Sequence, residues 1–346
     1  MHFSRDGSVS ETLKRLVCES DLGLTACELQ ALLQVRVQVF LLDAVRHNAV
    51  TREKIGGLYV YVHTDNAVRE RQLLQRREEV EARENALAVF ELDFEANLPI
   101  VRHCVRYKKR LLFPSTSEVY GMCSDGEFHP NESNLVLGPI SKPRWIYSCS
   151  KQLMDRVISA YAQQDGLDYT LFRPFNWVGS GLDSIHTPKE GSSRVVTQFL
   201  GHIARGEQIK LVDGGAQRRS FTDVSDGIGA LMKIIANEDG CASGNIYNIG
   251  NPGNDLSVRE LAELMLQIAR EFPEYKPGAD KVELVDVSSG AYYGEGYQDI
   301  QTRVPWIKNT QTELDWSPRV SLHDALRNIF AAYRDEVAAA RALLDD

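Results

Sequence analysis

At 346 residues, 43% of them hydrophobic and 25% charged, the chain has the composition of a soluble protein with one large domain or two ordinary ones and a sizeable core. A formal net charge of −9 argues against general affinity for nucleic acid or a membrane surface. Six scattered cysteines lack Cys-x-x-Cys or metal-ligand spacing, and charges interrupt every apolar run well short of a bilayer span, so a cytoplasmic, reduced chain without a metal centre is the expectation.

Residues 1–83 carry equal numbers of acidic and basic side chains, so the acidic excess lies in the remainder, an asymmetry that predicts two modules, 1–83 and 84–346. The first reads as helices over SETLKRLVCES, TACELQALL and VQVFLLDAVRHN, a short β pair around EKIGGLYVYVHTD, and a charged helix, NAVRERQLLQRREEVEAREN. From Asn85 helix and strand alternate: helix ALAVFELDFEANLPIVRHCVRY, strand RLLFPSTS, helix WIYSCSKQLMDRVISAYAQQDG, strand YTLFRPFNWVG. A further strand, NIYNIGN, and two amphipathic helices, SVRELAELMLQIAREF and SLHDALRNIFAAYRDEVAAARALL, follow. Such alternation predicts the α/β class with a parallel sheet.

Tyr147 and Lys151 stand four positions apart, hence on one helical face. The pattern alone is a weak signal, and taken in isolation it is a surface tyrosine and lysine. Upstream, however, the strand RLLFPSTS ends in Ser115, Thr116, Ser117 and Glu118, at the carboxyl edge where open parallel sheets bind ligands. A free phenol, with a pKa of about 10, is a poor base, and a neighbouring ammonium favours its ionised form. The expectation is that Lys151 lowers the Tyr147 pKa while Thr116 steers a substrate hydroxyl toward it.

From about Asn85 onward the stretches VFELDFEANL, FPSTSEVYGMCSD, SKPRWIYSCSKQLMDRVI, TLFRPFNWVG, KLVDGG, YNIGNP and YYGEGYQD resemble, in order, an extended short-chain dehydrogenase/reductase of the NAD-dependent epimerase/dehydratase family. Specifically, it resembles the UDP-glucuronic acid oxidative decarboxylase domain of the aminoarabinose lipid A modification (polymyxin resistance) pathway. The resemblance implies a Rossmann-like sheet with a smaller substrate-binding lobe, NAD as cofactor, and oxidation of the sugar C4 hydroxyl followed by loss of the C6 carboxylate, giving a UDP-4-keto-pentose. It implies Thr116, Tyr147 and Lys151 for oxidation and cofactor contact, Glu118 and Arg303 as acid/base groups, and Ser117 beside the carboxylate. UDP-glucuronic acid would be held by Arg144, Asn176, Arg194, the run Lys210 to Arg219, and Tyr297, since arginine binds oxyanions with two-pronged geometry. A homo-oligomer is compatible with it.

The family's Gly-x-x-Gly-x-x-Gly turn between a strand and a helix, which holds the dinucleotide pyrophosphate, has no counterpart in this sequence. Gly56-Gly57 lies in the expected hairpin, Gly214-Gly215 among substrate residues, and Gly294 and Gly296 precede no helix. A truncated sheet is therefore expected. The first module resembles, over the short stretch VTREKIGGLYVYVHTD, a transposase-type winged helix, with Arg36, Arg46, Arg52 and Lys54 as phosphate contacts. A small module without a DNA role is the favoured reading there. The junction near Arg83 to Asn85 has the look of two fused reading frames. An inactive nucleotide-sugar-binding remnant fused to a DNA-binding module is the alternative to a working NAD enzyme.

Overall fold

The computed structural model describes residues 8–20, 22–33, 35, 37–55, 58–182, 185, 194–293, 298 and 300–342. Arg36, the hairpin pair Gly56-Gly57, Gly294, Gly296 and Tyr297 lie outside the described residues. The chain divides into two compact units, Met1–Ala88 and Val89–Asp346.

In the first unit, α1 (Val9–Glu19), β1 (Leu24–Thr25), α2 (Ala26–Leu33), α3 (Gln38–Arg46), β2 (Thr51–Ile55), β3 (Leu58–Val62) and most of α4 (Asn66–Phe90) follow in order. Ser8 starts α1 by accepting the Glu11 amide hydrogen at 3.1 Å. The apolar positions then recur at helical spacing, and Leu13, Val17, Leu29, Leu41 and Val50 form a closed core. The strands pair antiparallel in the order β1-β3-β2. From α4, the buried Arg76 guanidinium ties down Glu28 at 2.9 Å and the carbonyls of Leu22 and Gly23. Arg46, Arg52 and Lys54 are exposed, and Arg52 stacks 4.4 Å over the Tyr59 ring.

The second unit is an α/β fold around a parallel sheet, β10 (Asn245–Ile249), β5 (Tyr169–Pro174) and β4 (Leu111–Pro114), in that order. Side chains alternate between the two faces, and both faces bury apolar residues. Leu111, Phe113, Leu171 and Ile246 meet Val101 of α5 (Leu98–Arg106) and Met154 and Ile158 of α6 (Trp145–Asp165). Leu112, Phe172, Tyr247 and Ile249 meet Ala230 and Ile234 of α8 (Val224–Ala236) on the other face. β4 has β5 as its one strand partner among the described residues, as a truncated sheet requires.

A second core belongs to the smaller lobe, where α7 (Val195–Arg205), α9 (Val258–Ala269) and α10 (Leu322–Tyr333) bury Phe199, Leu200, Ile203, Leu261, Met265 and Phe330 against β7 (Ile209–Val212). Short ladders join β6 (Trp177–Val178) to β9 (Thr222–Asp223), β8 (Arg218–Ser220) to β11 (Asp255–Ser257), and β7 to β12 (Leu284–Val287).

Two elements differ from the sequence expectation. The helix expected over ALAVFELDFEANLPIVRHCVRY is instead the end of α4, a π-helical turn at Glu91–Glu95, and a new start at α5. Asn97 breaks it by donating to the Leu92 carbonyl at 2.8 Å, and Pro99 restarts it in the first turn, where its missing N–H costs nothing. The strand expected over YTLFRPFNWVG divides at Asn176, whose φ of +39° is incompatible with a continuous ladder.

Candidate active site at the carboxyl end of β4

β4 runs out at Pro114, and the next residues turn because their side chains bond locally. Ser115 still donates its amide to the Phe172 carbonyl at 2.9 Å. Thr116 then caps a single 3-10 turn, Ser117–Tyr120, by accepting the Glu118 amide hydrogen at 3.2 Å. Gly121 ends the turn at φ +56° and ψ −124°, and a Cβ there would lie 1.9 Å from the Val136 carbonyl oxygen. Gly121→Ala is therefore expected to lower unfolding free energy by about 1–3 kcal/mol from backbone strain alone, seen as a lower denaturant midpoint with unchanged slope.

The turn faces α6, whose start is fixed by the Trp145 indole N–H donating to Gln298 Oε1 at 3.1 Å. Glu118 lies between two guanidinium groups: Arg303 Nη1 is 3.3 Å from Oε1 and Arg144 Nη2 is 3.3 Å from Oε2. Arg303, 5% exposed, also donates to Ser117 Oγ at 3.4 Å, while its buried Nε has no hydrogen-bond partner among the described residues. Thr116 faces the Tyr147 phenol. The structure thus brings Thr116, Ser117, Glu118, Arg144, Tyr147 and Arg303 together.

Lys151 corrects an expectation. Its ammonium is 3.0 Å from Asp93 Oδ1 and donates to the Pro114 carbonyl at 3.2 Å, standing 5.9 Å from the Tyr147 ring centre. The phenol pKa is raised rather than lowered: burial pushes it up, hydrogen bonding with Thr116 works downward, the Asp93 and Glu118 charges push up, and Arg303 pulls down. A lysine four residues along faces the ring, and a carboxylate from another element claims its charge.

The remaining candidates are engaged away from this cluster. Asn176 donates to the Ser220 carbonyl at 3.1 Å and accepts the Thr222 amide at 3.2 Å, pinning the end of β5 to β8 and β9. Arg219 is buried and donates to the carbonyls of Arg218 and Ile300 at 2.8 and 2.6 Å. Arg194 precedes α7 and donates to the Leu182 carbonyl at 3.2 Å. Lys210 is exposed on β7, 5.8 Å from the Tyr292 ring.

Sequence reasoning missed Asp93 and a buried network beneath the turn. Asp155 continues the Tyr147–Lys151 spacing by one more helical turn, accepting from Ser115 Oγ at 2.8 Å and Arg173 Nη2 at 3.1 Å. Arg173 also donates to the Tyr120 phenol at 2.9 Å, which donates onward to Asn248 Oδ1 at 2.7 Å. The four-residue spacing was the available signal for Asp155; its strand partner had none.

Comparison with known proteins bears on the family and the fold. The family model described as the NAD dependent epimerase/dehydratase family matches residues 78–250. The crystal structure of the PbgP3 protein from Burkholderia pseudomallei is similar at 63% identity, covering 76% of this chain and 75% of that one, with a TM-score of 0.67. UDP-glucose 4-epimerase from Thermotoga maritima, in complex with UDP-glucose, shares the fold at 21% identity, covering 75% of this chain and 74% of that one, with a TM-score of 0.60. So does DesIV, a dTDP-glucose 4,6-dehydratase from Streptomyces venezuelae with NAD bound, at 22% identity, 75% and 70% coverage, and a TM-score of 0.58.

Proposed function

Since the chain belongs to the NAD-dependent epimerase/dehydratase family, we propose that its second unit is a site for oxidising UDP-glucuronic acid at C4 and releasing its C6 carboxylate as carbon dioxide, leaving a UDP-4-keto-pentose. The observation that carries this reading is the Glu118 carboxylate held between Arg303 and Arg144 beside the Tyr147 phenol. A neutral sugar needs no such cations at its reacting end. An acidic sugar does, and the guanidinium groups of Arg144 and Arg303 are cations of the kind that pair with its carboxylate. A role in lipid A modification, in the cytoplasm, is the setting this reading implies.

Thr116, Tyr147 and the remaining donor of Lys151 would hold the hydride-transfer end of NAD, while the sequence offers no glycine-rich strand-to-helix turn for its pyrophosphate. Bound NAD supplies the acceptor for the C4 hydride. Tyr147 takes the proton of the C4 hydroxyl, with the Thr116 hydroxyl sharing the same oxygen. The resulting ketone stands β to the carboxylate, so the electron pair of the breaking C–C bond moves into an enolate as carbon dioxide departs. Glu118 and Arg303 then manage the proton that returns to C5, and Ser117 hydrogen-bonds beside them.

The missing pyrophosphate turn favours a second reading, an inactive unit that still binds the nucleotide sugar. Mixing the full chain with UDP-glucuronate and NAD is expected to produce NADH absorbance and carbon dioxide. Heat on titrating UDP-glucuronate without either product selects the inactive reading, and no heat with or without NAD removes both.

A further inference from the structure

Among the described residues, the one carboxylate paired with Lys151 was assigned no role by the sequence. Asp93 sits in the π-helical turn Glu91–Glu95, which widens the backbone just where it passes α6. It is nearly as buried as its partner: the side chains of Lys151 and Asp93 are 9% and 16% exposed. The ammonium spends two of its three N–H donors on Asp93 and the Pro114 carbonyl, and it lies 5.1 and 5.9 Å from the rings of Phe113 and Tyr147. No hydrogen bond joins it to the phenol among the described residues.

We propose that Asp93 is a positioning residue that fixes Lys151 as an ion pair, so that the carboxylate, and not the ammonium alone, governs when Tyr147 gives up its proton. As a catalytic statement this rests on the oxidation reading above; as a statement about the phenol it stands on the geometry. Two charges 3.0 Å apart present to a third group little more than a dipole, so the ammonium's help to a phenolate is largely cancelled by its partner. The groups facing the phenol are Asp93 from the π-helical turn, Glu118 from the turn after β4, Arg303 from the segment following Ile300, and Lys151 from its own helix, with Asp155 a further carboxylate near the ammonium. Asp93 is the charged group that acts both directly on Tyr147 and through Lys151.

The turn does not depend on this ion pair. Asn97 holds it through the Leu92 carbonyl, and Phe94 stacks on Phe90 at 5.7 Å and packs on the Val101–Met154 core. A neutral side chain at position 93 is thus expected to keep the turn, with a lower stability because the buried Lys151 ammonium loses its counter-ion.

The test is NMR titration of the full chain carrying ring-labelled tyrosine, the Tyr147 resonance being identified by its loss in Tyr147→Phe. In Asp93→Asn, the Tyr147 titration is expected to move to lower pH than in the parent, and Asp93→Glu should restore most of the parental midpoint. An unmoved midpoint, or one moved to higher pH, overturns the proposal. Asp93→Ser carries the same readout should Asp93→Asn fail to fold, and failure of both to fold would assign Asp93 a structural role and overturn it equally. No substrate turnover enters the measurement, so an inactive chain leaves the result intact.

Discussion

Tyr147→Phe is expected to lower turnover of UDP-glucuronate by about 10²–10⁴-fold, the range for removing a general base, and to leave affinity for the nucleotide sugar within a few-fold. The change deletes one hydroxyl whose interaction is with Thr116, so the fold loses only about 1 kcal/mol. Initial rates of NADH formation, with calorimetry of UDP-glucuronate binding on the same samples, check both halves. The pH profile adds a sign. The phenol is raised by burial and by Asp93 and Glu118, so the fraction present as phenolate is small at neutral pH. The kcat/KM of the parent should climb with pH through and beyond the ordinary phenol value of about 10. The linked stability runs the other way: a raised folded pKa stabilises fully below the unfolded value and is lost as pH rises through the folded one.

Arg173→Met is expected to lower unfolding free energy by about 3–5 kcal/mol, because it leaves a buried charge without its counter-ion. Asp155 is 5% exposed and has Ser115 as its other hydrogen-bond donor, a neutral hydroxyl that does not replace the guanidinium charge. Tyr120 loses its donor at the same time, and burial, which already raises the pKa of that phenol, offers no alternative partner. The double change Arg173→Met with Asp155→Leu should recover much of the loss, since an apolar pair of similar volume avoids both desolvation costs. Denaturant midpoints of the two variants decide it. A single variant as stable as the parent would mean that Asp155 is neutral in the folded chain.

These two residues mark what was legible in the sequence. Tyr147, Lys151 and Asp155 follow one another at four-residue spacing, and helical geometry alone places them on one face. The hydroxyls of Ser115 to Ser117 close an apolar strand, and the edge of a parallel sheet is where such groups gather. Arg173 and Asp93 were not legible, because their partners come from other elements and nothing local in FRPFN or ELDFE distinguishes a buried ion pair from a solvated charge. The Lys151 error has the same origin. Spacing predicted that the ammonium faces the phenol, but which neighbour claims its charge depends on a carboxylate delivered by a distant turn. The α/β alternation was readable, whereas the break at Asn97 and the bend at Asn176 depend on a side-chain bond and a positive φ that periodicity does not encode.

The outer side of β4 bears on self-assembly. In a parallel ladder donors alternate, and the amides of Leu111 and Ser115 both point to β5, so the amides of Leu112 and residue 114 are those turned away from it. Residue 114 is proline and has no hydrogen to give, and its carbonyl is occupied by Lys151. A foreign strand seeking to template on this margin would find a single donor, at Leu112, and then nothing to continue the register. The lysine beside the proposed site thus also blunts a place where copies of the chain would otherwise stack into aggregates.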